Sequence, residues 1–225
     1  MISLKIKAII FDVSGTLIDP KSSEKAHKII LSKILENYDL AERIFPKFKE
    51  KVLEIFNKSS LSENYKEYYK ICYEALKSVV DCTEEKITLE EYKRLYISIV
   101  PETEELYPDV IDILKILKKK YKLGIVTDGD REYIERLFEL KGLTKFFDAI
   151  VCSEDVREYK PHPKVFRKAL EILDVQPIEA IYIGDNPIKD KEGPEKIGMR
   201  AIIVKDGIKF NDIRDLLEGF KNGTT

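Results

Sequence analysis

Five short runs of apolar, mostly β-branched residues recur along the chain, separated by segments with helical periodicity. Each run is nearly continuous in apolar character, as in a parallel strand that is buried on both faces of a sheet. Alternation of such strands with helices predicts an α/β fold, a Rossmann-like open parallel sheet with helices on both sides. The predicted strands are residues 6–11, 123–127, 149–152, 180–183 and 201–204.

Three of the intervening segments place apolar residues on one helical face. Pro108 and Pro163 stand at the predicted starts of the first and third helices, where proline fits the first turn. Asp130 is the predicted N-cap of the second helix, and Gly142 is its predicted stop signal.

Residues 20–105 break the alternation, because they contain no strand-like run and only helical patterns. Pro46 is expected to set or kink the start of one helix, and Tyr65 is expected to lie on the apolar face of another. Thr88 and Glu91 have the spacing of a capping box. The segment is therefore predicted to be a helical unit inserted after the first strand.

Composition excludes several function classes. The chain has 225 residues, 44% of them hydrophobic, and a net charge of -2, so no polybasic surface for nucleic acid or anionic membrane is expected. No apolar run approaches the ~20 residues that span a bilayer, and the N-terminus does not resemble a signal peptide.

Cysteine usage indicates a cytoplasmic location. The three cysteines, Cys72, Cys82 and Cys152, are scattered, which argues against a disulfide framework or a zinc site. Charged residues make up 36% of the chain, with a single glutamine, Gln176, and this composition is typical of thermophiles.

Carboxylates follow three of the predicted strands. Asp12 follows the first, Asp128 the second and Asp185 the fourth, with Asp190 five residues further on. Ligands of open α/β sheets bind beyond the carboxyl ends of the strands, so these acids should meet in one crevice. Crowded carboxylates need a proton or a cation, and an all-oxygen ligand set favours Mg²⁺.

A lysine precedes the rigid turn that opens the third predicted helix. Lys160 lies before the sequence Pro-His-Pro, and its ammonium could balance an acidic crevice or an incoming anion. The two histidines are assigned structural roles: His162 in the turn, and His27 in packing or at the surface of the helical unit.

Four motifs now stand in order along the chain: FDVSGTL, IVTDG, YKPHP and IYIGDNPIKD. Together they resemble the haloacid dehalogenase-like hydrolase superfamily, over residues 6 to about 204. The resemblance implies a Rossmann-like catalytic core formed by residues 1–19 and 106–225. It also implies that residues 20–105 form a helical cap domain.

The resemblance further implies residue roles for a Mg²⁺-dependent phosphatase of a small phosphorylated metabolite. Asp12 is similar to the nucleophile that forms an aspartyl-phosphate. Asp12, Asp185, Asp190 and the backbone carbonyl of Ser14 are expected to hold Mg²⁺. Thr127, Asp128 and Gly129 are expected to bind the phosphoryl group, and Lys160 to hold nucleophile and phosphate together.

One position departs from the phosphatase pattern. Phosphatases of this superfamily usually carry a second aspartate two residues after the nucleophile, as general acid and base, and here that residue is Ser14. Three alternatives therefore stay open: a haloacid dehalogenase, a phosphonate hydrolase, and a weakly active module that binds a phosphorylated ligand or a protein partner. The protein is expected to be a monomer or a homodimer.

Overall fold

The computed structural model describes residues 5–60, 65–80 and 87–219. Cys82, one of the cysteines considered above, lies outside these residues. Five parallel strands form one sheet: β1 (Ala8–Phe11), β2 (Lys122–Thr127), β3 (Ala149–Cys152), β4 (Ala180–Gly184) and β5 (Arg200–Ile203). The α/β fold with an open parallel sheet is thus confirmed.

The strand order determines where the carboxylates meet. The order is β3-β2-β1-β4-β5, so β1 lies between β2 and β4. The register pairs Phe11 with Ile125 on one side and with Ile183 on the other. The three strands that precede the predicted acids are therefore direct neighbours, and their carboxyl ends share one edge.

Helices cover the sheet and fill the segment between β1 and β2. They are α1 (Pro20–Leu35), α2 (Tyr38–Ser60), α3 (Tyr68–Val79), α4 (Leu89–Thr103), α5 (Val110–Lys118), α6 (Arg131–Leu140), α7 (Ser153–Val156), α8 (Pro163–Leu173), α9 (Gly193–Glu195) and α10 (Phe210–Gly219). Short 3-10 turns, Thr144–Phe146 and Pro177–Glu179, and a π-helical turn, Pro187–Glu192, complete the described elements.

Two helix starts differ from the sequence prediction. Helix α2 begins at Tyr38, and Pro46 lies inside it rather than at its start. The backbone N–H of Leu40 donates to the side chain of Asn37, so the helix has a local cap well before the proline. Helix α3 begins at Tyr68, after Tyr65.

The predicted capping box of α4 is confirmed. The backbone N–H of Glu91 donates to Thr88 Oγ1, and the carboxylate of Glu91 accepts from the backbone N–H of Thr88. This reciprocal pair satisfies two N–H groups that the helix itself leaves free.

The chain leaves and re-enters the sheet layer at one place. Ile18 forms an antiparallel bridge with Leu106, and the backbone N–H of Asp19 donates to the carbonyl of Glu105 at 2.9 Å. The two connections to helices α1–α4 therefore lie side by side. Among the described residues, no helix combines the length and the apolar character needed to cross a bilayer.

Candidate functional site

Three carboxylates converge at the ends of β1 and β4. Oxygen atoms of Asp12, Asp185 and Asp190 lie within 4.8 Å of one another. The backbone holds this arrangement, since the N–H of Asp12 donates to the carbonyl of Ile183 at 2.9 Å. The structure thus brings together three of the four acids that the sequence predicted to meet, and the fourth, Asp128, lines the same cleft.

The loop after β1 fits closely against this cluster. Gly15 has a φ of 81°, and a Cβ atom there would lie 2.4 Å from Asp185 Oδ2. Only glycine permits both the left-handed backbone and the close approach. Ser14, one position earlier, lines the same cleft.

Burial and mutual repulsion perturb these acids. Burial raises the pKa of Asp12 to about 7, with a further contribution from the charge of Asp190 and an opposing one from Lys160. Burial, and then the charge of Asp190, also raise the pKa of Asp185. Carboxylates so placed favour a cation beside them, and their oxygen-only donor set fits Mg²⁺ or another hard cation.

Lys160 is the buried counter-ion of the cluster. Its Nζ atom lies 2.7 Å from Asp12 Oδ1 and 2.7 Å from Asp190 Oδ1, and it donates to the hydroxyl of Tyr182 at 3.1 Å. The side chain is 3% exposed. Burial alone would lower the pKa of this lysine, but Asp12 and the neighbouring groups raise it well above its ordinary value. The ammonium therefore stays charged.

The residues after β2 form the next part of the wall. The backbone N–H of Gly129 donates to Thr127 Oγ1 at 3.2 Å, which leaves the hydroxyl hydrogen of Thr127 free to donate into the cleft. Asp128 accepts from the backbone N–H of Lys160 at 2.9 Å and from Lys189 Nζ at 2.9 Å. Burial opposes ionisation of Asp128, but the charges of Lys189 and Lys160 and the hydrogen bonds from Ser153 and the Lys160 backbone together outweigh it and lower the pKa. Asp128 thus links the end of β2 to the turn that carries Lys160.

A cleft of about 420 Å³ opens over these groups. Helices α1, α2, α3 and α4 form the opposite wall, which is largely apolar and aromatic. Lys189 crosses between the two sides, with its Nζ atom 4.0 Å from the ring centre of Phe56. The apolar wall consists of Val52, Leu53, Phe56, Tyr68, Tyr96 and Val100.

A buried carboxyl that the sequence did not single out lies in this wall. Glu104 Oε1 accepts from the hydroxyl of Ser23 at 2.5 Å, and Oε2 accepts from the hydroxyl of Tyr133 at 2.5 Å. Burial raises the pKa of Glu104, and the two hydroxyl donors only partly offset this. Its position at the end of the inserted helical segment could have drawn attention to Glu104, but a glutamate in a chain rich in charged residues does not by itself indicate a buried site.

His27 was assigned to packing or the surface, and its ring does contact those of Phe48 and Tyr96, with centroids 5.8 and 6.0 Å away. It also lines the cleft. Burial lowers its pKa to about 4, although Glu24 opposes this, so the imidazole is neutral. Its Nδ1 atom is buried and lacks a hydrogen-bond partner within the described part of the chain.

Asp130 connects the two sides of the cleft. It was predicted to cap α6, but its side chain makes no cap hydrogen bond there. Instead its carboxylate accepts from the backbone N–H groups of Tyr68 and Tyr69, at 2.6 and 2.9 Å, in the first turn of α3. The capping interaction of α3 is therefore supplied by a residue distant in sequence.

Comparison with known proteins adds independent findings. The model of a family described as haloacid dehalogenase-like hydrolase matches residues 9–204. A pyrophosphatase PpaX from Bacillus mycoides is 31% identical over 219 residues, which cover 97% of this chain and 91% of that protein.

Two solved structures share the fold. A phosphatase from Thermococcus onnurineus is 27% identical with a TM-score of 0.68, covering 95% of this chain and 99% of its own. L-2-haloacid dehalogenase from Xanthobacter autotrophicus is 25% identical with a TM-score of 0.70, covering 97% of this chain and 84% of its own. Solved structures with this fold therefore include a phosphatase and a dehalogenase, two of the functions that the sequence left open.

Proposed function

The chain belongs to the haloacid dehalogenase-like hydrolase family, and from this premise we propose that it is a Mg²⁺-dependent phosphatase of a small phosphorylated metabolite. One observation carries the proposal: Asp12 lies at the base of the cleft with Asp185 and Asp190, and Lys160 contacts two of the three. Phosphoryl transfer needs this combination of a positioned nucleophile and charge neutralisation.

In the proposed reaction, a carboxylate oxygen of Asp12 attacks phosphorus, the P–O bond to the leaving group breaks, and the leaving group departs as its oxyanion and takes a proton from water. The new bond is an acyl-phosphate on Asp12, which water then hydrolyses to phosphate and the free carboxylate. Lys160 lies against the nucleophile and offsets the negative charge of the incoming group. Thr127 donates its hydroxyl hydrogen to a phosphoryl oxygen.

Asp12, Asp185, Asp190 and the carbonyl of Ser14 would hold Mg²⁺. When bound, the ion supplies positive charge beside the transferring phosphoryl group. The fit rests on three carboxylates whose oxygens lie within 4.8 Å of one another, two of them with raised pKa values. Without a cation, the ammonium of Lys160, in contact with Asp12 and Asp190, offsets part of this charge.

The dehalogenase alternative is less well supported by the site. A 2-haloacid carries a carboxylate, and this cleft already holds the carboxylates of Asp12, Asp185 and Asp190, with Asp128 beside them. The carboxylate of a 2-haloacid and the carboxylates of the cleft carry like charges, which repel strongly in a partly buried site. A similar curated protein is named a pyrophosphatase, which supports chemistry on phosphate compounds.

We also propose that residues 20–105 act as a cap over a core of residues 1–19 and 106–225. The side-by-side connections at Asp19 and Glu105 support this, because a hinge there would move α1–α4 as a unit. A cytoplasmic location fits the free, buried Cys72 and Cys152. For assembly we propose a monomer or a homodimer.

The test is release of phosphate from p-nitrophenyl phosphate by the purified protein, with and without Mg²⁺. We expect activity with Mg²⁺ and none in excess chelator, and we expect Asp12→Asn to abolish turnover while the protein stays folded by circular dichroism. Release of halide from 2-chloropropionate, unaffected by chelator, would instead establish the dehalogenase reading.

A further inference from the structure

We infer that the cleft binds the phosphate monoester of an uncharged organic group with an apolar body and a hydrogen-bonding substituent, which His27 recognises, and that it discriminates against pyrophosphate. The inference rests on the proposed phosphatase activity and specifies its substrate class. The similar PpaX protein is named a pyrophosphatase, so we expect the two proteins to differ in substrate class.

The wall opposite Asp12 is apolar and aromatic. Phe56, Tyr96 and Val100 are buried there, and Leu53 is 59% exposed within the same wall. Covering such a wall with apolar ligand surface favours binding by about 25 cal/mol for each Å² of apolar surface removed from water. Pyrophosphate has no apolar surface to offer, whereas an organic leaving group does.

The cleft has little positive charge to spare for a second phosphoryl group. Among the described residues, three lysines line the cleft, and each is already paired: Lys160 with Asp12 and Asp190, Lys189 with Asp128, and Lys49 with Glu24. A second phosphoryl group would therefore have to take a lysine from its carboxylate partner. A neutral leaving group needs no such counter-ion.

Two polar side chains, Glu104 and His27, interrupt the apolar wall. Glu104 adds a carboxyl whose two oxygens already accept hydrogen bonds from Ser23 and Tyr133, and as a carboxylate it would repel a second phosphate. His27 is neutral and lacks a partner for Nδ1, and leaving a buried polar atom unpaired costs about 1–3 kcal/mol. The ring forms part of the cleft wall, so a rotation of the imidazole about its Cβ–Cγ bond would turn the buried Nδ1 atom toward the cleft, where a hydroxyl or amide of the ligand supplies the missing hydrogen bond.

The test compares four probes with the wild-type protein and Mg²⁺: pyrophosphate, phenyl phosphate, and 3- and 4-hydroxyphenyl phosphate. Phosphate is a better leaving group than phenolate, so chemistry alone favours pyrophosphate. We nevertheless expect the KM for pyrophosphate to exceed that for phenyl phosphate by about ten-fold or more, within the range that pocket contacts give. We expect at least one hydroxyphenyl isomer to have the lowest KM.

A variant tests the role of His27. His27→Phe keeps an aromatic ring against Phe48 and Tyr96 but removes both nitrogens, and should reduce the preference for the hydroxyphenyl isomer over phenyl phosphate by about ten-fold, mainly through KM. The matched control is Tyr73→Phe, which removes a hydrogen bond to the carbonyl of Ile87 in the same helices but outside the cleft. It should leave this preference unchanged.

The outcomes separate the two proposals. A KM for pyrophosphate equal to or below that for phenyl phosphate overturns the inference and leaves the phosphatase proposal standing. A preference for the hydroxyphenyl isomer that is absent, or that survives in His27→Phe, overturns the role of His27. If none of the four probes is hydrolysed, both proposals fail.

Discussion

Replacing Lys160 with methionine removes the ammonium that balances the acidic cluster and keeps a side chain of similar shape. The lost contacts are two charge-assisted hydrogen bonds, each 2.7 Å long, to Asp12 and Asp190. Removing one partner of a buried ion pair typically costs about 3–5 kcal/mol. For a protein of this length that corresponds to a fall in Tm of roughly 6–20 °C.

The assay is thermal unfolding at pH 8, where Asp12, with a pKa near 7, is mostly ionised. Saturating Mg²⁺ should reduce the difference in Tm between Lys160→Met and wild type, because a cation among the carboxylates then offsets the negative charge that Lys160 no longer balances. The control is Lys168→Met, whose partner Glu171 lies 3.1 Å away at the surface, and it should change stability by less than about 0.5 kcal/mol.

Two results would refute this reasoning. A Tm for Lys160→Met within about 2 °C of wild type without Mg²⁺ would show that the ammonium does not compensate the acids. A difference in Tm between the two proteins that Mg²⁺ leaves unchanged would argue against a cation site at Asp12, Asp185 and Asp190.

Three further predictions test other parts of the site. Gly184→Ala places a Cβ atom 2.4 Å from the Cβ of Asp190, so we expect the Mg²⁺ concentration for half-maximal activity to rise by about ten-fold or more; an unchanged requirement would contradict a metal role for Asp190. Ser14→Asp should raise turnover of alkyl phosphates by about ten-fold or more, and of aryl phosphates less, because a general acid matters most for a poor leaving group; no gain in a folded variant would assign that role elsewhere. Burial raises the pKa of Asp130 from 3.8 to about 7, so the folded state holds this proton more tightly and loses stability as pH rises from about 4 to 7. The Tm of Asp130→Asn relative to wild type should therefore increase between pH 5 and pH 8, and a constant difference would count against it.

The sequence by itself determined the sheet and the acidic part of the site. The β-branched runs specify strands because buried parallel strands need apolar residues on both faces. Asp12 and Asp185 directly follow β1 and β4, and Asp190 lies in the turn that comes after β4. Asp12, Asp185 and Asp190 therefore had to meet once the strands paired in parallel. The start of α4 was equally predictable, since the box of Thr88 and Glu91 closes over three residues.

Only the tertiary structure decided the wall that faces these acids. Glu104 meets Ser23 across 81 positions of the chain, and Tyr68 donates to Asp130 across 62. No local spacing encodes such contacts, because the partners meet only when the helices pack together and the two connections at Asp19 and Glu105 lie side by side. For the same reason the start of α3 and the place of His27 in the cleft became visible only after folding: burial and partners are properties of the assembled fold, not of the local sequence.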